Sequence, residues 1–267
     1  MISNYHTHTK FCKHADALPY DYIAQANKDG CTALGFSDHC PYPHDERDTW
    51  SNIRMKEAEA PEYLRLVREA AKDANFPVFA GFECEWHPMY ASWYKDVLLE
   101  ELACDYLIHG PHWVFVDGDF KYAPEIQGAK VIKDYFINLV DAIQSKIFTF
   151  VAHPDLIMAF GREWSKDIED GFTEVINAAY ECGIPLEING LGLSREKIQS
   201  GGILRYQYPV DKFWEMAGKK GVKIVCNADA HKPQDVIVLA QKARDYADER
   251  GLQYVETLPL VHRLKNT

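Results

Sequence analysis

Short apolar runs alternate with stretches of helical periodicity along the whole chain, the pattern of parallel strands joined by crossover helices. Seven runs read as strands, at residues 2–8, 32–38, 78–83, 106–110, 148–152, 184–188 and 222–226. Between them, Ile168, Phe172, Val175, Ile176 and Ala179 fall on one face of a helix that Gly183 stops. Ile132, Tyr135, Phe136, Leu139, Val140 and Ile143 repeat that spacing. Pro19 is placed to begin the first crossover helix and Gly30 to end it, and Pro209 and Gly218 bracket a later one. No linker or internal repeat interrupts the series, so the reading is a single α/β domain over residues 1–267, a barrel of seven strands.

The polar residues have a definite place in this pattern. His8, His39, Glu83, His112, His153 and Asp229 each stand at or just beyond the end of a predicted strand, the face that carries chemistry in α/β barrels. His6 and His8 are separated by one residue in a strand, so both rings project to the same side and can reach one ion. Taken alone, that pair is explained equally well by hydrogen bonding near a strand end. Its partners shift the balance: His14, the Asp38-His39 step in GFSDHCPYP, Glu83 in FAGFECEW, His112 in HGPHW, His153 in VAHPD, and Asp229 with His231 in NADAH. Imidazole nitrogens and carboxylate oxygens suit zinc, manganese or iron, and a carboxylate can bridge two ions.

Composition narrows the choice of partner. With 47% hydrophobic and 26% charged residues, the chain can bury a substantial core. A formal charge of -11 and the lack of a basic, aromatic-interleaved stretch argue against nucleic acid. A small anionic substrate fits if metal ions or a few arginines supply local positive charge. The seven cysteines are scattered and form no CxxC pair, which suits a reducing compartment. The opening MISNYHTHTK lacks the apolar core of a secretory signal, and no later stretch could span a bilayer, so the expectation is a cytoplasmic protein without membrane contact.

The ordered set HTH, SDH, a glycine-preceded Glu, PHW, AHP and DAH resembles the PHP family of metal-dependent phosphoesterases, over almost the full length from Tyr5 to about Arg250. Within that set, SDHCPYP and the order of the later motifs resemble the histidinol-phosphate phosphatase branch. The resemblance implies a distorted (β/α)7 barrel of TIM-barrel type holding two or three divalent ions. His6, His8, Glu83 and Asp229 would surround one ion and His14, His39 and His231 a second, with Glu83 bridging to His112 and His153 around a third.

The expected reaction is attack of metal-bound hydroxide on a phosphate monoester, with Glu83, Asp229 and His231 at its centre. Arg162 and Arg195, in loops after strand ends, are candidates to grip the phosphate. His44 is a further candidate to meet substrate, and His44, His231 or a metal-bound water could protonate the leaving group. Asp16 and Glu85 could face a cationic amine, and Tyr42, Trp86, Trp113 and Trp164 could line a ring-binding pocket. Competing readings are a PHP phosphoesterase for another small phosphate ester or a nucleotide, an amidohydrolase-like C–N hydrolase, and a non-catalytic metal-binding module. Metal identity and oligomeric state stay open in the sequence.

Overall fold

The computed structural model describes residues 2–43 and 51–262. Its first four strands, β1 (Ile2–Asn4), β2 (Cys31–His39), β3 (Val78–Cys84) and β4 (Tyr106–His109), lie side by side in chain order, all parallel. An antiparallel hairpin, β5 (Trp113–Val116) and β6 (Asp119–Tyr122), then leaves the sheet. The chain returns at Val151, which bridges His109 on one side and Leu186 on the other. Next come β7 (Leu186–Asn189), a second hairpin of β8 (Ile198–Ser200) and β9 (Ile203–Arg205), and β10 (Ile224–Asn227), which pairs in parallel with β7. Closure occurs at the first strand, where Thr7 bridges Ala230, with His8 N donating to Ala230 O at 2.8 Å and Ala230 N to His6 O at 3.1 Å. Counted around the ring, the strand positions are β1, β2, β3, β4, Val151, β7 and β10, a distorted (β/α)7 barrel.

Outside the barrel run α1 (Pro19–Lys28), α2 (Ala60–Ala70), α3 (Ala129–Ser145), α4 (Lys166–Cys182), a short α5 (Gly190–Ser194), α6 (Asp211–Lys220) and α7 (Asp235–Glu249). The fourth of these shows why such segments are helical. Ser165 caps its start by accepting from Ile168 N at 3.3 Å, Asp167 and Glu169 occupy its positive first turn, and Gly183 ends it at φ 68°. The face between buries Ile168, Phe172, Val175, Ile176 and Ala179, and each large apolar side chain so covered stabilises by about 1.5–3 kcal/mol. Inside the barrel, Tyr5, Phe79, Tyr106, Ile108, Phe150, Val225 and Leu258 form the packing beneath the chemistry-bearing face. No described helix is long and apolar enough to cross a membrane.

Three expectations need correction. The first predicted strand pairs regularly only over Ile2–Asn4, because the Asn4 side chain replaces the ladder. Its Oδ1 accepts from His6 N at 3.3 Å and Ala228 N at 2.9 Å, and its Nδ2 donates to Thr7 Oγ1 at 2.9 Å. Gly218 does not end α6 but lies within it, where an added Cβ would stand 2.5 Å from Leu252 Cδ2, and Gly221 at φ 78° is the cap. The fifth predicted strand is reduced to its bridge at Val151, bounded by the backbone turn at His153.

Candidate metal centre

Parallel register delivers the first side chains: His39 is paired with Glu83 across β2 and β3, at the ends where both strands open onto the polar face. Glu83 is 3% exposed, and five histidines surround it. Its Oε1 lies 3.0 Å from His153 Nε2, 3.5 Å from His6 Nε2 and 3.7 Å from His112 Nε2. Its Oε2 lies 3.0 Å from His39 Nδ1 and 3.4 Å from His8 Nε2, yet is aligned for a hydrogen bond with neither. Asp229 Oδ1 approaches His8 Nε2 at 3.2 Å, His6 Nε2 at 3.5 Å and His231 Nδ1 at 3.6 Å. The structure therefore brings together His6, His8, His14, His39, Glu83, His112, His153, Asp229 and His231, from seven parts of the chain.

Two of these residues have unusual backbones. His153 (φ 27°) and Asp229 (φ 55°) occupy the left-handed region, which costs about 1–3 kcal/mol for a residue such as histidine and persists where surroundings hold it. At the next position along the wall, Gly110 leaves space that only hydrogen can fill. A Cβ there would stand 2.3 Å from Glu83 Oε1 and 2.6 Å from His112 Cε1.

The outer hydrogen bonds decide which nitrogen each imidazole turns inward. His6 Nδ1 donates to Glu187 Oε1 (2.9 Å), His112 Nδ1 to Glu85 Oε1 (2.6 Å), His14 Nδ1 to Cys12 O (2.7 Å) and His231 Nδ1 to Asp229 O (3.1 Å). A neutral imidazole has one N–H, so His14 and His231 aim an Nε2 lone pair at the centre, as His6 and His112 do once neutral. Without an ion, burial is outweighed at those two by Glu187, Asp229 and Glu83 beside His6, and by Glu83 and Glu85 beside His112, which is pushed up to about 9. His14 Nε2 and His231 Nε2 thus face each other 2.9 Å apart, lone pair to lone pair. A proton between them is disfavoured, since burial and the neighbouring His8 push His231 down to about 3 and lower His14 too.

A divalent cation resolves this conflict. Ligands bound at about 2.0–2.2 Å in tetrahedral geometry sit about 3.3 Å from one another, and the inward donor atoms here are 2.9–3.7 Å apart. The electrostatics agree. Burial alone would raise the Glu83 carboxyl, but the imidazoles of His112 and His6 and contacts from His153 and His39 hold it well below the usual carboxylate range. Among the described residues, each ion-pair partner of Glu83 and Asp229 is a histidine. Two carboxylates faced by imidazoles form a donor set that suits a divalent ion, whose charge would replace the protons that these carboxylates favour on His6, His8 and His112 in its absence.

Above this cluster opens a cavity of about 390 Å³, walled by Ile53, Trp113, Tyr122, Leu156, Leu191, Arg195 and Tyr208 besides the histidines. The Arg195 guanidinium lies over the Tyr208 ring, 5.7 Å from its centroid. Arg162 does not line the cavity, contrary to expectation. Its guanidinium is turned to backbone carbonyls, with Nε donating to Ile157 O at 2.8 Å and Nη2 to Ile126 O at 2.6 Å and Pro124 O at 3.1 Å. His44 lies outside the described residues. Of the four aromatic candidates only Trp113 reaches the cavity. Trp86 donates to Asp141 Oδ2, Trp164 packs on Phe172, and Tyr42 lies under the buried Arg54 guanidinium. Asp16 is exposed and outside the lining, while Glu85 is occupied by His112 and by the backbone N–H groups of His112 and Trp113.

Sequence reasoning missed Glu187, Asn189 and Asn227, all buried just behind the histidines. A signal was available: Glu187-x-Asn189 repeats, at the end of another strand, the one-residue spacing of His6-x-His8.

The PHP domain family matches residues 4–190. The chain belongs to the PHP family. Among curated relatives, this PHP chain is 27% identical over 240 residues to a probable histidinol-phosphatase of Deinococcus radiodurans, covering 86% of each chain. A probable histidinol-phosphatase of Schizosaccharomyces pombe is 23% identical over 273 residues, covering 92% of this chain and 86% of the relative. Among solved structures, histidinol phosphate phosphatase of Lactococcus lactis, complexed with zinc, L-histidinol and phosphate, superposes with a TM-score of 0.68 at 16% identity, covering 95% of both chains. A putative histidinol phosphatase of Listeria monocytogenes gives 0.66 at 17% identity over 87% of this chain and 96% of the other. Such similarity places the PHP chain in the same fold.

Proposed function

We propose that this PHP chain is a metal-dependent phosphomonoesterase that hydrolyses L-histidinol phosphate to L-histidinol and inorganic phosphate, a step of histidine biosynthesis. The observation that carries the reading is the ring of five imidazoles around the buried Glu83 carboxylate, at the base of a cavity with Arg195 on its wall. The names of the two curated relatives, and the zinc, histidinol and phosphate in the Lactococcus lactis structure, support the substrate and favour zinc. Manganese and iron accept the same donors.

In this reading His6, His8, Glu83 and Asp229 would hold one ion, His14, His39 and His231 a second, and His112 and His153, together with Glu83, a third; the distances among these side chains support it. Ions held there would supply charge to neutralise phosphate oxygens and to activate water. The Arg195 guanidinium, braced on Tyr208, takes the remaining phosphate oxygens, where a planar fork matches their geometry. Ile53, Trp113, Leu156 and Leu191 give the organic half an apolar wall and exclude bulk water. His231 stays neutral and serves as a lone-pair donor. Free thiols at all seven cysteines suit a reducing, cytoplasmic setting.

Phosphate release from a panel of esters tests the substrate. L-histidinol phosphate is expected to exceed sugar phosphates and nucleotides in kcat/KM by about 100-fold or more. Equal rates across the panel would remove histidinol phosphate from the account.

A further inference from the structure

Glu187 is fully buried on β7, and among the described residues its one ion-pair partner is His6. Its two oxygens accept from four donors, two each. Oε1 accepts from His6 Nδ1 at 2.9 Å and Asn227 Nδ2 at 3.0 Å, and Oε2 from His153 N at 3.0 Å and Asn189 Nδ2 at 2.9 Å. This arrangement is specific to a carboxylate, because both oxygens must be acceptors. An amide would set its NH2 against donors on one side or the other.

The donors have consequences at the centre. The bond to His6 Nδ1 fixes the tautomer that turns His6 Nε2 inward. The bond from His153 N holds the backbone at the residue with φ 27°, and Glu187 N donating to Val151 O at 2.9 Å anchors the same segment from the sheet. Asn189 extends the network to Asp229 Oδ2 at 3.2 Å. Three residues on three different strand ends are thereby tied to one side chain. A buried carboxylate is expensive unless it is fully bonded and paired, and apolar packing would serve the barrel alone.

We infer that Glu187 is a positioning residue of the metal centre, which sets the His6 tautomer and the His153 backbone so that both can bind an ion. The inference rests on the metal reading above. Zinc uptake against a competing chelator tests it, using the full chain and Glu187→Gln. Wild type is expected to take up zinc, and folded E187Q to bind it about 10- to 100-fold more weakly, with the circular dichroism of the zinc-free proteins alike and the melting temperature of E187Q lowered by its mismatched amide. Imidazole 15N shifts of zinc-free E187Q are expected to show His6 leaving its Nδ1–H form. Glu187→Asp, which keeps both oxygens but withdraws them by one methylene, covers the case in which E187Q does not fold, and is also expected to weaken zinc. Folded E187Q or E187D with wild-type zinc affinity would overturn the assignment. A wild-type chain that takes up no zinc would instead defeat the functional reading.

Discussion

Glu83 and the two arginines give the sharpest tests at the scale of single residues. Glu83→Gln leaves a side chain of the same shape but cannot present two anionic oxygens to five histidines. Phosphate release is expected to fall at least about 100-fold, with a loss of bound metal measured by elemental analysis. Arg195→Ala should lower kcat/KM by about 100- to 1000-fold if its guanidinium meets the phosphate. Arg162→Ala should act differently: it strands carbonyls of residues 124, 126 and 157 and should cost about 1–3 kcal/mol of stability in denaturant titration, with kcat/KM near wild type. Equal kinetic losses for both arginines would contradict this division. The candidate metal-binding residues were legible in the chain because histidine and carboxylate positions at strand ends need no knowledge of packing. Orientation was not legible. Whether a loop arginine faces a cavity or a set of carbonyls depends on the path of residues 123–126, distant in sequence from Arg162.

At the scale of elements, α3 and α4 pack so closely that Gly171 has no room for a side chain: a Cβ would meet the Phe136 ring at 2.0 Å. Gly171→Ala is therefore expected to destabilise the fold by about 1–3 kcal/mol, seen as a lower denaturation midpoint, while the kcat of the folded enzyme is preserved. Both helices were readable from apolar spacing, since their buried faces repeat every three or four residues. The β5–β6 hairpin was missed, although Asp117-Gly118 between WVFV and DFKY is a hairpin signal, and both residues adopt positive φ, 53° and 84°. Its two strands pair antiparallel with each other, apart from the barrel sheet, so they add no β/α unit. Asn4 and Asn227 belong to a harder class, in which a side chain substitutes for backbone pairing or ties one strand end to another. Periodicity carries no trace of such bonds.

At the scale of the molecule, seven strand positions close into a ring whose polar end gathers residues from position 6 to position 231. The centre joins the first and last strands: His6 and His8 flank the Thr7–Ala230 bridge, and Asp229 and His231 flank it from the other side. Ions bound there would favour the folded over the unfolded chain, so chelation should lower the melting temperature and restored zinc should raise it with concentration. The measurement that bears most directly on the account is phosphate release from L-histidinol phosphate by the chelated protein before and after zinc, manganese or iron is returned. Activity that vanishes on chelation and returns with metal is the predicted result; undiminished release by fully metal-stripped protein would contradict it.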